Sequence, residues 1–188
     1  MPLVTTIREK CRMCFTCVRE CPAKAIRIEG GQAMVIKERC IACGNCLQVC
    51  SQSAKQMVDS TDELQDLLGS GREVIACLAP SFSAAFADLD PGRVVAAVRK
   101  LGFRFVCEVA FGADLVAERY RRILEEHNGK RYIATTCPAL VEFVEKYYPE
   151  LVPALAPIVS PMVAMARVLR VLHGPDMKIA FIGPCIAK

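Results

Sequence analysis

The chain has 188 residues, 53% of them apolar and 23% charged, which predicts a globular protein of one domain or two small ones. Twelve cysteines without a leader-like opening segment favour metal binding in the cytoplasm over a secreted disulfide framework, and the longest uncharged run, residues 151–166, is too short and too rich in proline to span a membrane. The net charge of +4 lies in residues 1–59, which contain nine Lys and Arg but only five Asp and Glu. Because this range has no long basic run and no aromatic surface, we interpret the excess as counter-charge to anionic metal clusters rather than as a nucleic-acid-binding surface.

Two cysteine arrays repeat near the start of the chain. Residues 11–22 read CRMCFTCVRECP and residues 40–51 read CIACGNCLQVCS, two copies of the spacing C-x2-C-x2-C-x3-C offset by 29 positions. In this spacing the first three cysteines wrap one 4Fe-4S cluster, and the fourth ligates the other cluster. The arrays therefore predict one cluster held by Cys11, Cys14, Cys17 and Cys50, and a second held by Cys40, Cys43, Cys46 and Cys21.

With these arrays, residues 1–58 resemble a two-cluster bacterial ferredoxin, a module that carries single electrons. We therefore expect an α+β ferredoxin-like domain over this range. Pro22 fits the ferredoxin pattern and Ser51 departs from it, but neither residue is a ligand. Two zinc sites or structural thiols are the alternative, although zinc motifs rarely add a third and a fourth cysteine at these intervals.

Over residues 59–188, helical stretches alternate with short apolar runs. Ser60 and Glu63 form the pattern of a capping box that opens a helix closed by Gly69. Strands are expected at residues 74–78, 103–109, 132–135 and 178–182, and helices at 91–102, 114–127, 138–148 and 161–172. This alternation predicts an α/β domain with a parallel sheet, whose ligands bind at the carboxyl ends of the strands.

Four further cysteines lie in this second domain. Cys137 follows a predicted strand and precedes Pro138, where a helix N-terminus favours a thiolate. Cys185 follows the last predicted strand, three residues before the cation Lys188. By residue type alone, Cys137 and Cys185 are either half a metal site or unrelated thiols. Cys77 and Cys107 lie within apolar runs and are expected in the core.

The segments TTCPALVEFVEKYYPELVPALAPIVSPM and IGPCIAK, together with APSFSAAF, VVAAVRKLGF and FGADL, resemble the catalytic domain of iron-iron (FeFe) hydrogenases. In that family the H-cluster, a 4Fe-4S cluster joined through a cysteine to a diiron centre with carbon monoxide and cyanide ligands, is held by four cysteines from three motifs. The resemblance implies that Cys137 and Cys185 are two of these ligands, and that Lys188 hydrogen-bonds a cyanide of the diiron centre.

Two departures from the family pattern shape the expected function. Thr136 stands where the family carries a proton-transferring cysteine, and a hydroxyl exchanges protons poorly, so the resemblance implies slow turnover similar to that of sensory members. The third motif, which supplies the other two ligands, is missing after Lys188. We therefore expect a truncated lobe of the catalytic domain.

The sequence thus predicts an iron-sulfur fragment of a FeFe hydrogenase of sensory type, with two 4Fe-4S clusters in these residues and the H-cluster only in a longer parent. The expected partners are a redox protein such as a ferredoxin and signalling domains that follow the fragment. By themselves the 188 residues are expected to have no hydrogenase activity. The alternative is an electron-transfer or iron-sulfur-binding protein without hydrogen chemistry, as in proteins of cluster assembly.

Overall fold

The computed structural model describes residues 3–127 and 129–188. Their contacts divide the chain into two compact units. The first, which we name the cysteine-rich unit, runs through Asp59 and also contains Cys137–Leu155 and Cys185–Lys188. The second, the sheet unit, contains Ser60–Thr136 and Ala156–Pro184. The predicted division at residues 58 and 59 stays a prediction, since each unit is assembled from separate stretches of chain.

The described elements follow one another in a mixed order of strands and helices. In chain order they are β1 Val4–Thr6, α1 Thr16–Arg19, β2 Ile26–Glu29, β3 Gln32–Val35, α2 Asn45–Gln48, β4 Lys55–Met57, α3 Thr61–Gly69, β5 Val74–Leu78, α4 Phe82–Ala85, α5 Pro91–Lys100, β6 Phe105–Glu108, α6 Val109–Glu126, α7 Pro138–Tyr147, α8 Pro161–His173 and β7 Lys178–Ile182. Two 3-10 helices are Arg8–Lys10 and Pro149–Ala154.

The cysteine-rich unit contains two antiparallel strand pairs, β1 with β4 and β2 with β3. Between β2 and β3 the chain turns through Gly30 and Gly31, whose positive φ angles of 57° and 77° suit a two-residue hairpin turn. In the other pair, Lys55 of β4 lies opposite Thr6 of β1. This register brings Lys55 into the interior of the unit.

Small residues fill the core of the cysteine-rich unit. Two of the cysteines, Cys17 and Cys21, are buried there among alanines and two isoleucines. Phe143 and Tyr147 of α7 pack against this core, and the Tyr147 hydroxyl donates to the carbonyl oxygens of Ala23 and Arg39 at 2.6 and 2.9 Å. Helix α7 is therefore anchored on the segment that carries the cysteine arrays.

A three-stranded parallel sheet organises the sheet unit, in the order β6, β5, β7. Every residue of the central strand β5 is buried, as expected for a strand covered on both faces. Ile75 and Cys77 contact residues of α6 and α8 on one face, while Val74 and Ala76 contact residues of α3 and α5 on the other. The predicted parallel sheet with helices on its faces is confirmed.

Several helix boundaries follow the predicted signals and others do not. Helices α5, α7 and α8 begin at the predicted prolines, and the Asp90 carboxylate caps α5 by accepting from the Arg93 N–H at 3.2 Å. The predicted capping box is wrong, because the Ser60 side chain makes no capping bond to α3. Helix α6 begins at Val109, directly after β6, rather than at Asp114.

The predicted strand at residues 132–135 is wrong, because only Ile133 makes a bridge there. Neighbouring polar groups hold this segment instead. The Thr135 N–H donates to the Tyr120 hydroxyl at 2.9 Å, and the Thr135 hydroxyl donates to the carbonyl oxygens of Ala156 and Ile158.

In the described parts of the chain, no helix is long and apolar enough to cross a bilayer.

Cys77 gives the sheet unit a pH-dependent stability. Burial, with a smaller contribution from Cys107 on the neighbouring strand, raises the pKa of the Cys77 thiol from 9.0 to about 11. Because the pKa is higher in the folded state, this stability is complete below pH 9 and is lost as pH rises towards 11. We expect the unfolding free energy of the native chain, minus that of Cys77→Ala, to shrink in urea titrations over this pH range. A constant difference would contradict the assignment.

Candidate metal centres

Four cysteines surround the first candidate site, which we name the first cavity. Cys11, Cys14, Cys17 and Cys50 line it together with Lys55, and it is partly open to solvent. These are the four residues that the crossed spacing assigns to one cluster. The structure brings them together, and their ligation of a cluster stays a prediction.

The other four cysteines of the arrays surround the second cavity. Cys21, Cys40, Cys43 and Cys46 line it, and it is again partly open to solvent. Cys21 comes from the first array and the other three from the second, so each cavity takes its fourth cysteine from the other array. All eight thiols are free.

The loops around the two cavities repeat the same unusual backbone conformation. Among the residues that the structure describes, five non-glycine residues have positive φ, and two pairs of them lie 29 positions apart: Met13 at 49° with Ala42 at 55°, and Lys24 at 45° with Ser53 at 47°. Positive φ is strained for side-chain-bearing residues and is common where backbone N–H groups are turned toward an anion. The repeated strain therefore points to repeated binding loops.

Backbone N–H groups already reach three of the sulfur atoms, and one of them is Cys40 Sγ, which accepts from the Ala42 N–H at 3.4 Å. The Ala25 N–H donates to Cys21 Sγ at 3.2 Å, and the Ala54 N–H, 29 positions later, donates to Cys50 Sγ at 3.3 Å. Hydrogen bonds of this kind stabilise thiolate sulfur and tune the potential of a bound cluster. Four thiols around each cavity, with amide donors at the sulfurs, fit a 4Fe-4S cluster.

The thiols differ in their readiness to ionise. Burial raises the pKa of Cys17 and raises that of Cys46 to about 11, and in both cases the positive charge of Lys55 opposes the rise. Hydrogen bonding to Thr16 lowers the pKa of the exposed Cys14. Since only thiolates bind iron, loading these sites must release protons. Within residues 3–127 and 129–188, no three His, Cys, Asp or Glu side chains lie close enough to share one metal ion.

Cys137 lies at the N-terminus of α7, with an exposed side chain. Its carbonyl oxygen accepts from the N–H groups of Leu140 and Val141, at 3.1 and 3.2 Å, which fixes the first turn of the helix. At the other end of α7, Lys146 Nζ donates to the carbonyl oxygen of Cys40 at 2.7 Å. The last turn of the helix that carries Cys137 is thus hydrogen-bonded to the backbone of Cys40, a residue of the second cavity.

Cys185 and Lys188 lie in the last described stretch of the cysteine-rich unit. Cys185 is half-buried, Lys188 is exposed, and the Lys188 N–H donates to the Cys185 carbonyl oxygen at 3.3 Å. Ile186 packs so closely on Gly44, in a loop of the second cavity, that a Cβ at Gly44 would overlap its side chain. Cys137 and Cys185 therefore both belong to segments that contact the second cavity's loops, while the described residues show no hydrogen bond between their side chains.

The predicted ligand-binding edge of the sheet carries a large apolar groove. It lies beyond the carboxyl ends of β5 and β7 and is partly open to solvent. Phe82, Phe86 and Leu89 line one side, and Gly183 and Pro184 line another. Cys77 and Cys107 lie on adjacent strands, as predicted, and Cys77 is fully buried while Cys107 is half-buried.

Sequence reasoning overlooked two residues of these sites. Lys55 is buried in the first cavity, and the repeat signals it, because position 55 lies 29 residues after Ile26. Tyr147 anchors α7 through contacts more than 100 residues away in sequence, and no local pattern marks it. Thr136, next to Cys137, is half-buried; its proposed role stays a prediction.

Two family descriptions match the chain. Residues 72–188 match the C-terminal domain of the iron only hydrogenase large subunit, and residues 3–51 match a 4Fe-4S dicluster domain. The chain is 31% identical to the periplasmic Fe hydrogenase large subunit of Nitratidesulfovibrio vulgaris, over 95% of this chain and 48% of that protein. It is 30% identical to iron hydrogenase 1 of Clostridium pasteurianum, over 62% of this chain and 24% of that protein. The chain spans less than half the length of these curated relatives.

Solved structures show the same fold at lower identity. An apo FeFe-hydrogenase from Chlamydomonas reinhardtii superposes with a TM-score of 0.52 and 20% identity, over 66% of this chain and 37% of that one. A structure described as a step in FeFe-hydrogenase H-cluster assembly superposes with a TM-score of 0.51 and 20% identity, over the same shares. At this identity the likeness concerns the fold.

Proposed function

Because the chain belongs to the family of the iron only hydrogenase large subunit, we propose that it is an iron-sulfur protein that passes single electrons through two 4Fe-4S clusters in the service of hydrogen chemistry. One observation supports this most: the two cavities, each lined by the four cysteines that the crossed spacing groups together. A 4Fe-4S cluster accepts and releases one electron at a time.

The chain's own residues would hold and tune the clusters. Cys11, Cys14, Cys17 and Cys50 hold one, and the cysteines of the second cavity hold the other. The Ala25 and Ala54 N–H groups, which already donate to Cys21 Sγ and Cys50 Sγ, would keep these hydrogen bonds to the ligand sulfurs. Because these bonds are made before an electron arrives, the protein reorganises little when the charge changes.

The hydrogen chemistry of this proposal rests on three positions that match the family pattern. In a longer protein that carries all four ligands, Cys137 and Cys185 would serve as two ligands of the H-cluster, and Lys188 would hydrogen-bond a cyanide of the diiron centre. Thr136 replaces the proton-transferring cysteine, so proton delivery is slow and the role is sensing rather than rapid turnover. Thiols that must stay reduced for cluster assembly favour the cytoplasm, with a one-electron redox protein as partner.

Electron counting tests the electron-transfer function. After anaerobic loading with iron and sulfide, we expect the chain to take up about two electrons in a coulometric titration and to return them on reoxidation, since each cluster accepts one. The metal-free chain in the same cell is the control. Uptake no greater than that of the control would overturn the proposal.

Isotope exchange separates the electron carrier from a complete hydrogenase. Only Cys137 and Cys185 among these residues match H-cluster ligands, of which the family uses four. We therefore expect the loaded chain, under deuterium gas, to form no HD above the background of the Cys137→Ala variant. Exchange above that background would show that these 188 residues assemble an active centre, and the expectation would be wrong.

A further inference from the structure

Lys55 is an unusual lysine within the described parts of the chain, where it is the one buried charged residue, with 8% of its surface exposed. Its Nζ donates to the Thr6 hydroxyl at 2.6 Å and to the Ala33 carbonyl oxygen at 2.9 Å. Both acceptors are neutral, and no described Asp or Glu pairs with it. A buried ammonium without a counter-ion is costly, so its presence calls for an anion nearby.

The internal repeat shows what Lys55 replaces. Counting 29 positions back from Lys55 gives Ile26, which is also buried and lines the second cavity. Lys55 occupies the matching place in the first cavity. At this position the two sites therefore differ by a buried cation in one and an aliphatic side chain in the other. A second cation, Arg12, also lines the first cavity where the second has Ile41, but Arg12 is exposed, so water and salt screen its charge.

We propose that Lys55 is a fixed counter-charge that stabilises the reduced state of the cluster in the first cavity, and so makes this cluster the more easily reduced of the two. The inference rests on the proposed function, since it requires both clusters. An electron from a one-electron donor adds one negative charge to the cluster, and no bond or proton moves with it. A positive charge fixed beside the cavity stabilises that added charge and raises the reduction potential.

The charge of Lys55 acts on both sites but to different extents. The electrostatic effect of a charge falls with its distance from the site. Only the first cavity, of the two, has Lys55 in its lining. Removing the charge should therefore lower both potentials, and that of the first-cavity cluster more.

The test is a potentiometric titration of the iron-loaded chain, followed by electron paramagnetic resonance of the reduced clusters. Lys55→Met keeps an unbranched side chain of similar length and removes the charge, while Lys55→Arg keeps the charge. Lys10→Met is the matched control, because Lys10 is exposed beside Cys11 and water and salt screen its charge. Cys50→Ala identifies which signal belongs to the first cavity.

We expect the first-cavity potential to fall in Lys55→Met by more than in Lys10→Met, and to return most of the way in Lys55→Arg. A fall no larger than the control's overturns the inference, while absence of clusters from the native chain overturns the proposed function instead. If Lys55→Met does not fold, the native chain decides: the first-cavity cluster must have the higher potential, and equal or reversed potentials overturn the inference.

Discussion

We expect replacement of Cys50 and Cys14 together by alanine to leave about four of about eight irons bound, and replacement of Cys50 and Cys43 together to leave none. The reason is the crossed grouping of the cysteines. Cys50 and Cys14 line the same cavity, so the first pair of changes damages one site, while Cys43 lines the other cavity, so the second pair damages both. Iron and sulfide analysis after anaerobic loading measures the difference.

The reciprocal pairs provide the matched control. Cys21→Ala with Cys43→Ala should retain about four irons, and Cys21→Ala with Cys14→Ala should retain none. If each array instead held its own cluster, the four results would be exchanged, because Cys50 would then share a cluster with Cys43. That exchange is the result that contradicts the crossed arrangement.

Gly112→Ala is expected to destabilise the sheet unit by about 2 kcal/mol. Gly112 is buried in α6 where this helix packs against α8. A Cβ there would overlap the carbonyl oxygen of Pro161 and would lie 3.1 Å from the Met165 N and Cβ atoms. Backbone atoms cannot swing aside as a side chain does, so the overlap outweighs the gain of about 1 kcal/mol that alanine has over glycine within a helix.

Gly69→Ala is the matched control for that prediction. Gly69 is also helical, at the end of α3, and nothing lies within 4 Å of a Cβ built there. Urea unfolding followed by circular dichroism should show a lower midpoint for Gly112→Ala and an unchanged or higher midpoint for Gly69→Ala. Equal midpoints for the two variants would mean that α6 and α8 do not pack through Gly112 as described.

The parts that sequence predicted well are those that local rules govern. The apolar run at residues 74–78 forms the buried central strand β5, and the prolines at 91, 138 and 161 start helices because a missing N–H costs nothing at a helix start. The spacing of the two arrays groups the cysteines into two sets of four, each of which lines one cavity, while their ligation of clusters stays a prediction.

The parts that sequence missed depend on distant contacts. Residues 132–135 have the composition of a strand, but Tyr120 and the carbonyl oxygens of Ala156 and Ile158 bind Thr135 in another way. The attachment of Tyr147 to the carbonyl oxygens of Ala23 and Arg39 likewise joins residues far apart in the chain. The charge of Lys55 counts toward the basic excess of residues 1–59, and its burial follows from the register of β1 and β4, which the repeat with Ile26 signals only indirectly.

The central claim is that two 4Fe-4S clusters occupy the two cavities, and Mössbauer spectroscopy of the chain loaded anaerobically with iron-57 tests it most directly. The technique distinguishes iron in a four-iron cluster from single iron ions bound by thiolates. We predict about eight irons per chain, all with the signature of 4Fe-4S clusters. Iron present only as single thiolate-bound ions, or absent from a chain that instead retains zinc, would contradict the claim.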